Sequence, residues 1–476
     1  VQPENLKFGG GIAESTMHPA VLVAMIIAVL LILLLPRKRV LVPVLLMAFL
    51  IPLAQQFYVA GLHLFVLRIV ILAALVRALS SRLFSKQRFF AAGMGAFDWV
   101  FLIWTFFHVV TFLVLFSFQP AAITNQLGFV WDTIGVFLVL RFFIQDQEDM
   151  DRVLRTFAWI AAVLAVCMLN EHFHMQNVFG YLGAMRLVPE TRDGLVRAQA
   201  AFSHPLLAGT FGAALLPLFF LMWHNGKSKA LALVGIVAST VMTICASSST
   251  PFLAYAAGIG ALCLWPLRGN MRLIRWGLVI GLVALNFVMK APVWFVISHI
   301  SLFGSSSSDH RAYLVDAFIR HFNDWWLVGT NDAGNWGWDM WDTSNQYINE
   351  GEGGGLATFI CFIALISISF GNIGKARKAV EGDRAKEWSF WFLGAALFAN
   401  VVGFFGVSYF DQTRVMWFTL LVMITVATSS ALGVKAASEE PVAETPLELP
   451  LVPVSRKATR EATGLKRARP FKPVSS

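Results

Sequence analysis

Residues 205–223 read Pro-Leu-Leu-Ala-Gly-Thr-Phe-Gly-Ala-Ala-Leu-Leu-Pro-Leu-Phe-Phe-Leu-Met-Trp, a run without a single charged side chain. Wound as a helix it is roughly 29 Å long, about the hydrocarbon thickness of a bilayer. Twelve other runs of this character centre on 19–36, 40–54, 60–79, 97–117, 124–144, 153–170, 230–246, 251–266, 276–292, 354–372, 387–407 and 414–433. The runs at 40–54 and 251–266 are short for a crossing, so one of them is a candidate re-entrant segment. The expected fold is an all-α polytopic membrane protein of twelve to thirteen transmembrane helices over residues 1–433. A large outer loop carrying an amphipathic helix completes it.

Composition agrees. Of 476 residues, 57% are hydrophobic and only 14% charged, whereas a soluble chain carries about a quarter charged. So few charges cannot cover a water-facing surface. The 42 Phe and 16 Trp suit lipid-facing and interfacial positions. A net charge of +9 does not point to nucleic acid here, because the basic residues sit between apolar runs, where they set topology. The four cysteines, Cys167, Cys245, Cys263 and Cys361, each lie inside an apolar run with no metal-ligand spacing. They read as small buried hydrophobes. The first apolar run lacks a small-residue cleavage site after it and reads as an anchor.

Orientation follows from Lys and Arg bias. With Arg37-Lys38-Arg39 inside and the runs alternating from there, the inside segments hold twenty basic residues before residue 434 and the outside segments eight. The N-terminus is then outside and the C-terminus inside. Residues 434–476 turn rich in Pro, Ala and Glu, then basic, without apolar periodicity. They read as a disordered cytoplasmic tail that could touch anionic lipid.

Two outer connections are long, 171–204 and 293–353, and a long ordered loop in a compact membrane domain is usually functional. In the second, Leu314, Val315, Phe318, Phe322, Trp325 and Trp326 recur at helical spacing between Asp309 and about Val328. That pattern predicts an amphipathic helix at the membrane surface, its aromatics at headgroup depth. Beyond it, Trp336 and Trp338 suit either sugar stacking or interfacial anchoring. Arg192, Arg197 and Arg311 are three outer arginines in a protein with few outer charges, and guanidinium groups take phosphate bidentately. His172 and His174, beside Glu171, lack HExxH spacing, so no metal site is expected. Walker, Rossmann and nucleophile-elbow motifs are absent from the sequence, which argues against an ATP-driven pump. Within the apolar runs, Arg68 and Asp132 fall at similar depth and are expected to pair, as a structural clamp or a proton relay, the clamp favoured.

Three segments carry a family resemblance. Arg197-Ala-Gln-Ala-Ala-Phe-Ser-His-Pro-Leu-Leu-Ala-Gly resembles a stretch of bacterial O-antigen ligases and polymerases, in which an arginine precedes a Phe-x-(His/Asn)-Pro turn into a helix. Asp309-His-Arg-Ala-Tyr-Leu-Val-Asp-Ala-Phe, followed by Trp326-Leu-Val-Gly, resembles the outer helix of that family. Ser344-Asn-Gln-Tyr-Ile-Asn-Glu-Gly-Glu-Gly-Gly-Gly-Leu resembles its third motif, His-Asn-x-x-Leu and then Glu-x-Gly. The resemblance covers residues 190–372. It implies a fold of the GT-C glycosyltransferase type, without metal, nucleotide sugar or other cofactor, in the bacterial inner membrane. Its implied donor is a glycan linked to undecaprenyl diphosphate, its acceptor a second glycan, and its surroundings membrane lipid and other polysaccharide-assembly proteins.

By that resemblance Arg197 and Arg311 stabilise the departing diphosphate, with Ser344 and Asn345 as the remaining catalytic pair. Arg192, His204, His310, Trp336, Asp342 and Glu350 form the expected substrate-binding set. Ser344 stands where the ligases carry histidine, and a serine is no ordinary base near neutral pH. His310, Asp342, Glu350 and Glu352 are the candidate replacements. The departure favours a polymerase joining repeats of O-antigen, capsule or exopolysaccharide over a ligase. A transporter or flippase of lipid-linked glycan is the alternative, and a non-catalytic membrane scaffold the third.

Overall fold

A computed structural model of the chain describes residues 14–85, 90, 93–183, 185–299 and 306–439. Each of the thirteen apolar runs holds a helix. They are α1 (Pro19–Leu34), α2 (Leu41–Leu50), α3 (Val66–Ser85), α4 (Ala96–Leu115), α5 (Pro120–Phe143), α6 (Gln147–His174), α7 (Pro205–His224), α8 (Lys229–Cys245), α9 (Ser249–Cys263), α10 (Met271–Val288), α12 (Gln346–Ala379), α13 (Arg384–Gly403) and α14 (Asp411–Glu439), with α11 (Ser306–Arg320) between the tenth and eleventh runs. Seven segments are long and apolar enough to cross a membrane: α4, α5, α6, α7, α12, α14 and Trp265–Val288, which contains α10. The apolar helices α1, α8 and α9 are shorter. The chain is thus mostly helical, with seven helices among the described residues long and apolar enough to span a bilayer.

Boundaries moved in three places. The third run opens not as helix but as a hairpin, β1 (Gln56–Val59) against β2 (Leu62–Phe65), turning at Ala60-Gly61 with both residues at positive φ. The helix α12 starts at Gln346 and takes up the last residues of the expected loop 293–353, because Asn345 caps it. At the far end α14 runs past 433 to Glu439; the tail expected beyond it, 440–476, lies outside the described residues.

The centre of the bundle is α7, 83% of whose apolar window is buried, packed against α8, α9 and α13. By contrast α10 has no buried residue at all, and Leu273, Phe287 and Val288 stand largely exposed along it. That is how an apolar helix looks when lipid, rather than protein, covers it.

Polar contacts sort the connecting segments into two ends. At one end, Arg37 pairs with Asp149 at 3.1 Å, Lys38 with Glu148 at 2.8 Å and Lys227 with Asp151 at 3.4 Å. His224 meets the Ala385 carbonyl there, beside the Arg268–Glu387 pair. At the other end, Thr16 bridges to Gln56, Gln55 reaches the Leu182 carbonyl at 2.7 Å, and Gln412 reaches the Ala201 carbonyl at 3.1 Å. This second end also carries the long connections.

Two bidentate Arg–Asp pairs join helices. Arg68 and Asp132 meet through Nη2–Oδ2 at 2.6 Å and Nε–Oδ1 at 2.9 Å, while Arg68 Nη1 donates to the His63 carbonyl at 2.7 Å. Asp132 sits in a π-helical turn, Trp131–Gly135, the kind of register break that re-aims a side chain. The second pair, Arg141 with Asp98, is fully buried and bidentate, at 2.9 and 3.1 Å. Sequence reasoning missed it because both residues lie at the edges of apolar runs and read as loop charges. Replacing Arg141 by Met leaves the Asp98 carboxylate buried without its partner and should cost about 3–5 kcal/mol. Thermal unfolding in detergent measures this, and Arg141→Met with Asp98→Leu should recover most of the loss.

The expected amphipathic surface helix is corrected. It ends at Arg320 and a short turn, Phe322–Trp325, follows. Leu314, Phe318 and Trp325 are covered by protein. They form a small separate core with Met340 and Ile348, Phe318 and Trp325 stacked at 4.0 Å. The approach depends on Gly351, where a Cβ would come within 2.5 Å of the Phe318 ring. Only Phe322 and Trp326 of the stripe stay exposed, at 41% and 43%.

Candidate functional site

The segment Arg197–His204 is held from many sides before it enters α7. Arg197 ends a second hairpin, β3 (Glu190–Arg192) with β4 (Leu195–Arg197). Ala198 N–H donates to the Cys245 carbonyl at 2.9 Å, and Ser247 Oγ donates to the Val196 carbonyl at 2.9 Å. The buried carboxylate of Glu171 accepts from Gln199 N–H at 3.0 Å and Ala200 N–H at 2.8 Å, which steadies Ala200 at a φ of 48°. Asn177 Nδ2 reaches the Ala200 carbonyl at 2.9 Å. The Ser203 hydroxyl donates to Asp411 at the start of α14. Glu171, set aside as a metal ligand, is therefore a positioning residue for the arginine segment.

Arg197 is itself buried. Its Nη1 meets Glu190 Oε1 at 2.8 Å, a partner the sequence did not single out. Arg311, on α11, is also buried, and burial followed by the charge of Arg192 pushes its pKa down to about 10, with Arg197 adding to the effect and Asp342 opposing it. Arg192, Arg197, Arg311 and Asp342 therefore share one electrostatic neighbourhood, although 119 positions separate the first and third in sequence. Among the described residues, Nε of both Arg197 and Arg311 is buried without a hydrogen-bond partner.

The other expected residues divide. His204 caps α7, its Nδ1 accepting from Leu206 N–H at 3.1 Å. Burial first, then Arg197, lowers its pKa and keeps the ring neutral. It lines a cavity of about 290 Å³ together with Arg186, Glu190, Gln199 and Ser203. His310 Nε2 lies 3.1 Å from the Asp342 carbonyl, and Ser344 Oγ donates to Asp342 Oδ1 at 2.7 Å. Both thus gather at Asp342. Asn345, expected in the catalytic pair, caps α12. Its Oδ1 accepts from Tyr347 N–H and Ile348 N–H, and its Nδ2 reaches the Phe405 carbonyl, so helix capping uses the side chain.

Three expected residues lie elsewhere. Trp336 does not face the arginines as a sugar platform. It stacks on His321 at 5.4 Å, and its Nε1 donates to Asp324 at 3.2 Å. Glu350 points into the bundle, taking hydrogen bonds from Trp104 and Gln346. Arg68 lines a groove of about 480 Å³ between β1–β2, α3 and α5, with its charge matched by Asp132.

Chemically, the site sets three arginines, two of them buried, against the carboxylates of Glu190 and Asp342. No protein-family model and no curated protein matches the chain.

Proposed function

We propose that this chain transfers a glycan from an undecaprenyl-diphosphate-linked donor to a sugar acceptor at the outer face of a bacterial inner membrane, joining repeats of a surface polysaccharide. One observation carries the reading: arginines from two distant connections converge, buried, with Nε groups left unpaired. Burying like charges is costly unless an anion joins them, and a diphosphate supplies one with the right geometry for guanidinium forks. In the transfer, the bond from the sugar anomeric carbon to the diphosphate oxygen breaks and its electron pair goes to that oxygen. Arg197 and Arg311 stabilise the growing charge. The acceptor oxygen bonds to the anomeric carbon and its proton goes to Asp342, which Ser344 orients. This gives the serine a role in the place where the ligases carry histidine.

The topology that suits this chemistry is twelve to thirteen crossings with the long connections outside. It is supported by the sorting of the basic segments 37–39, 227–229 and 268–275 to the opposite end of the bundle. The test is glycan output in a deletion strain carrying wild type, Arg197→Ala or Arg311→Ala at matched membrane expression. Long chains with wild type, and single repeats or undecaprenyl-linked precursor with both variants, are the expected result. Long polymer left on undecaprenyl would make the protein a ligase. Full activity in both variants would discard the mechanism.

A further inference from the structure

A second cavity, of about 250 Å³, lies among α4, α5, α12 and α14. Glu350 is its central polar group. Trp104 Nε1 donates to one carboxylate oxygen at 2.7 Å and Gln346 Nε2 to the other at 2.6 Å. His108 Nδ1 is buried there without a hydrogen-bond partner among the described residues. Arg414 also lines the cavity, its guanidinium 5.5 Å from the Phe129 ring centroid. We propose that this cavity binds one pyranose ring of the acceptor glycan, an inference that rests on the transferase reading for the word acceptor but not for the ring.

Charge is the first argument. The arginine cluster holds surplus positive charge, whereas this cavity sets one carboxylate against one guanidinium. It suits a neutral polyol and not a diphosphate. Hydrogen-bonding capacity is the second. Each Glu350 oxygen has one protein donor and a lone pair to spare, while Asn349, His108 and Arg414 add further donors and acceptors around it. A buried His108 Nδ1 without a partner in an apolar wall is costly, a cost that a ligand hydroxyl removes. The wall is the third: Trp104, Phe129, Phe404 and Trp417 offer flat apolar faces to the C–H faces of a sugar ring. Size is the fourth, since at roughly 30 Å³ per water the space equals about eight waters, the displacement of a single six-membered sugar. Finally, Glu350 stands five residues along α12 from Asn345, roughly 8 Å of helix rise. Glu350 and Asp342 are thus eight positions apart in one stretch of the chain.

The test uses the full-length protein in nanodiscs and saturation-transfer NMR. The probes are mono- and oligosaccharides released by mild acid from the source cell's own surface glycans. Wild type should bind at least one of them saturably. Glu350→Gln should weaken that binding tenfold or more, and Asn349→Ala, a milder change on the same wall, several-fold. Arg311→Ala should leave it intact, and inorganic pyrophosphate should not compete. Absence of binding by wild type, equal binding by all variants, or loss of binding in Arg311→Ala or with pyrophosphate would overturn the proposal. Sugar binding with the expected pattern, alongside full polymer output from Arg197→Ala and Arg311→Ala, would retain the cavity and remove the transferase.

Discussion

Arg311→Met should raise the thermal midpoint of the detergent-solubilised protein by a few degrees while abolishing glycan transfer. Burial and the neighbouring Arg192 drive the Arg311 pKa down to about 10, which marks its charged form as disfavoured in the fold. At neutral pH the group is still charged, so that penalty is fully present, and it fades only as pH rises through the folded value. The displacement corresponds to on the order of 3 kcal/mol. Methionine fills a similar volume without charge, and Asp342, being exposed, loses little when the cation goes. Pyrophosphate should stabilise wild type and not the variant, since a ligand stabilises only the form that binds it. A variant less stable than wild type by 1 kcal/mol or more would show that the guanidinium holds the fold and does not await an anion.

Gly355→Ala should be severely destabilising for a change of one methyl group. Inside α12 this residue has φ 71° and ψ −175°, a conformation essentially reserved for glycine and costing about 1–3 kcal/mol for other residues. At this break in the helix, Leu356 N–H donates to the Trp326 carbonyl and Thr330 N–H to the Glu352 carbonyl, both at 2.8 Å. A Cβ on Gly355 would lie 2.7 Å from the Leu327 carbonyl oxygen, and backbone fastened this way has no room to move. The expected loss exceeds about 3 kcal/mol, with the segment after α11 becoming cleavable by added protease. Gly371→Ala, where a Cβ meets nothing within 4 Å, should instead be neutral or stabilising by about 0.5–1 kcal/mol. Similar behaviour of the two variants would remove the argument.

The helices were legible because an apolar run of a given length is local information. All thirteen runs, from 19–36 to 414–433, carry helix. The Arg68–Asp132 contact was legible for a related reason, as two charges stranded in apolar runs have few choices. What lay hidden depends on partners far along the chain. That Phe318 and Trp325 face protein and not lipid turns on one missing side chain at Gly351. That Asn345 is spent as a cap turns on where α12 begins. Trp336 looked like a sugar platform because an aromatic ring suits a sugar and a neighbouring His321 alike. Glu190 and Trp104 carried no signal at all and Glu171 a misleading one beside His172 and His174, since each matters only through the group it touches.

The tether between the arginine segment and α14 has a consequence for biogenesis. Ser203 and the Ala201 carbonyl are held by Asp411 and Gln412, which leave the ribosome some two hundred residues after them. Arg311 likewise arrives more than a hundred residues after Arg197. A nascent chain still in the insertion machinery therefore has its arginines apart and their loop unsecured. The arginines can come together only once both connections have been made, and the tether closes only when α14 docks. A product truncated before residue 411 would sit in the membrane without this tether on its arginine segment.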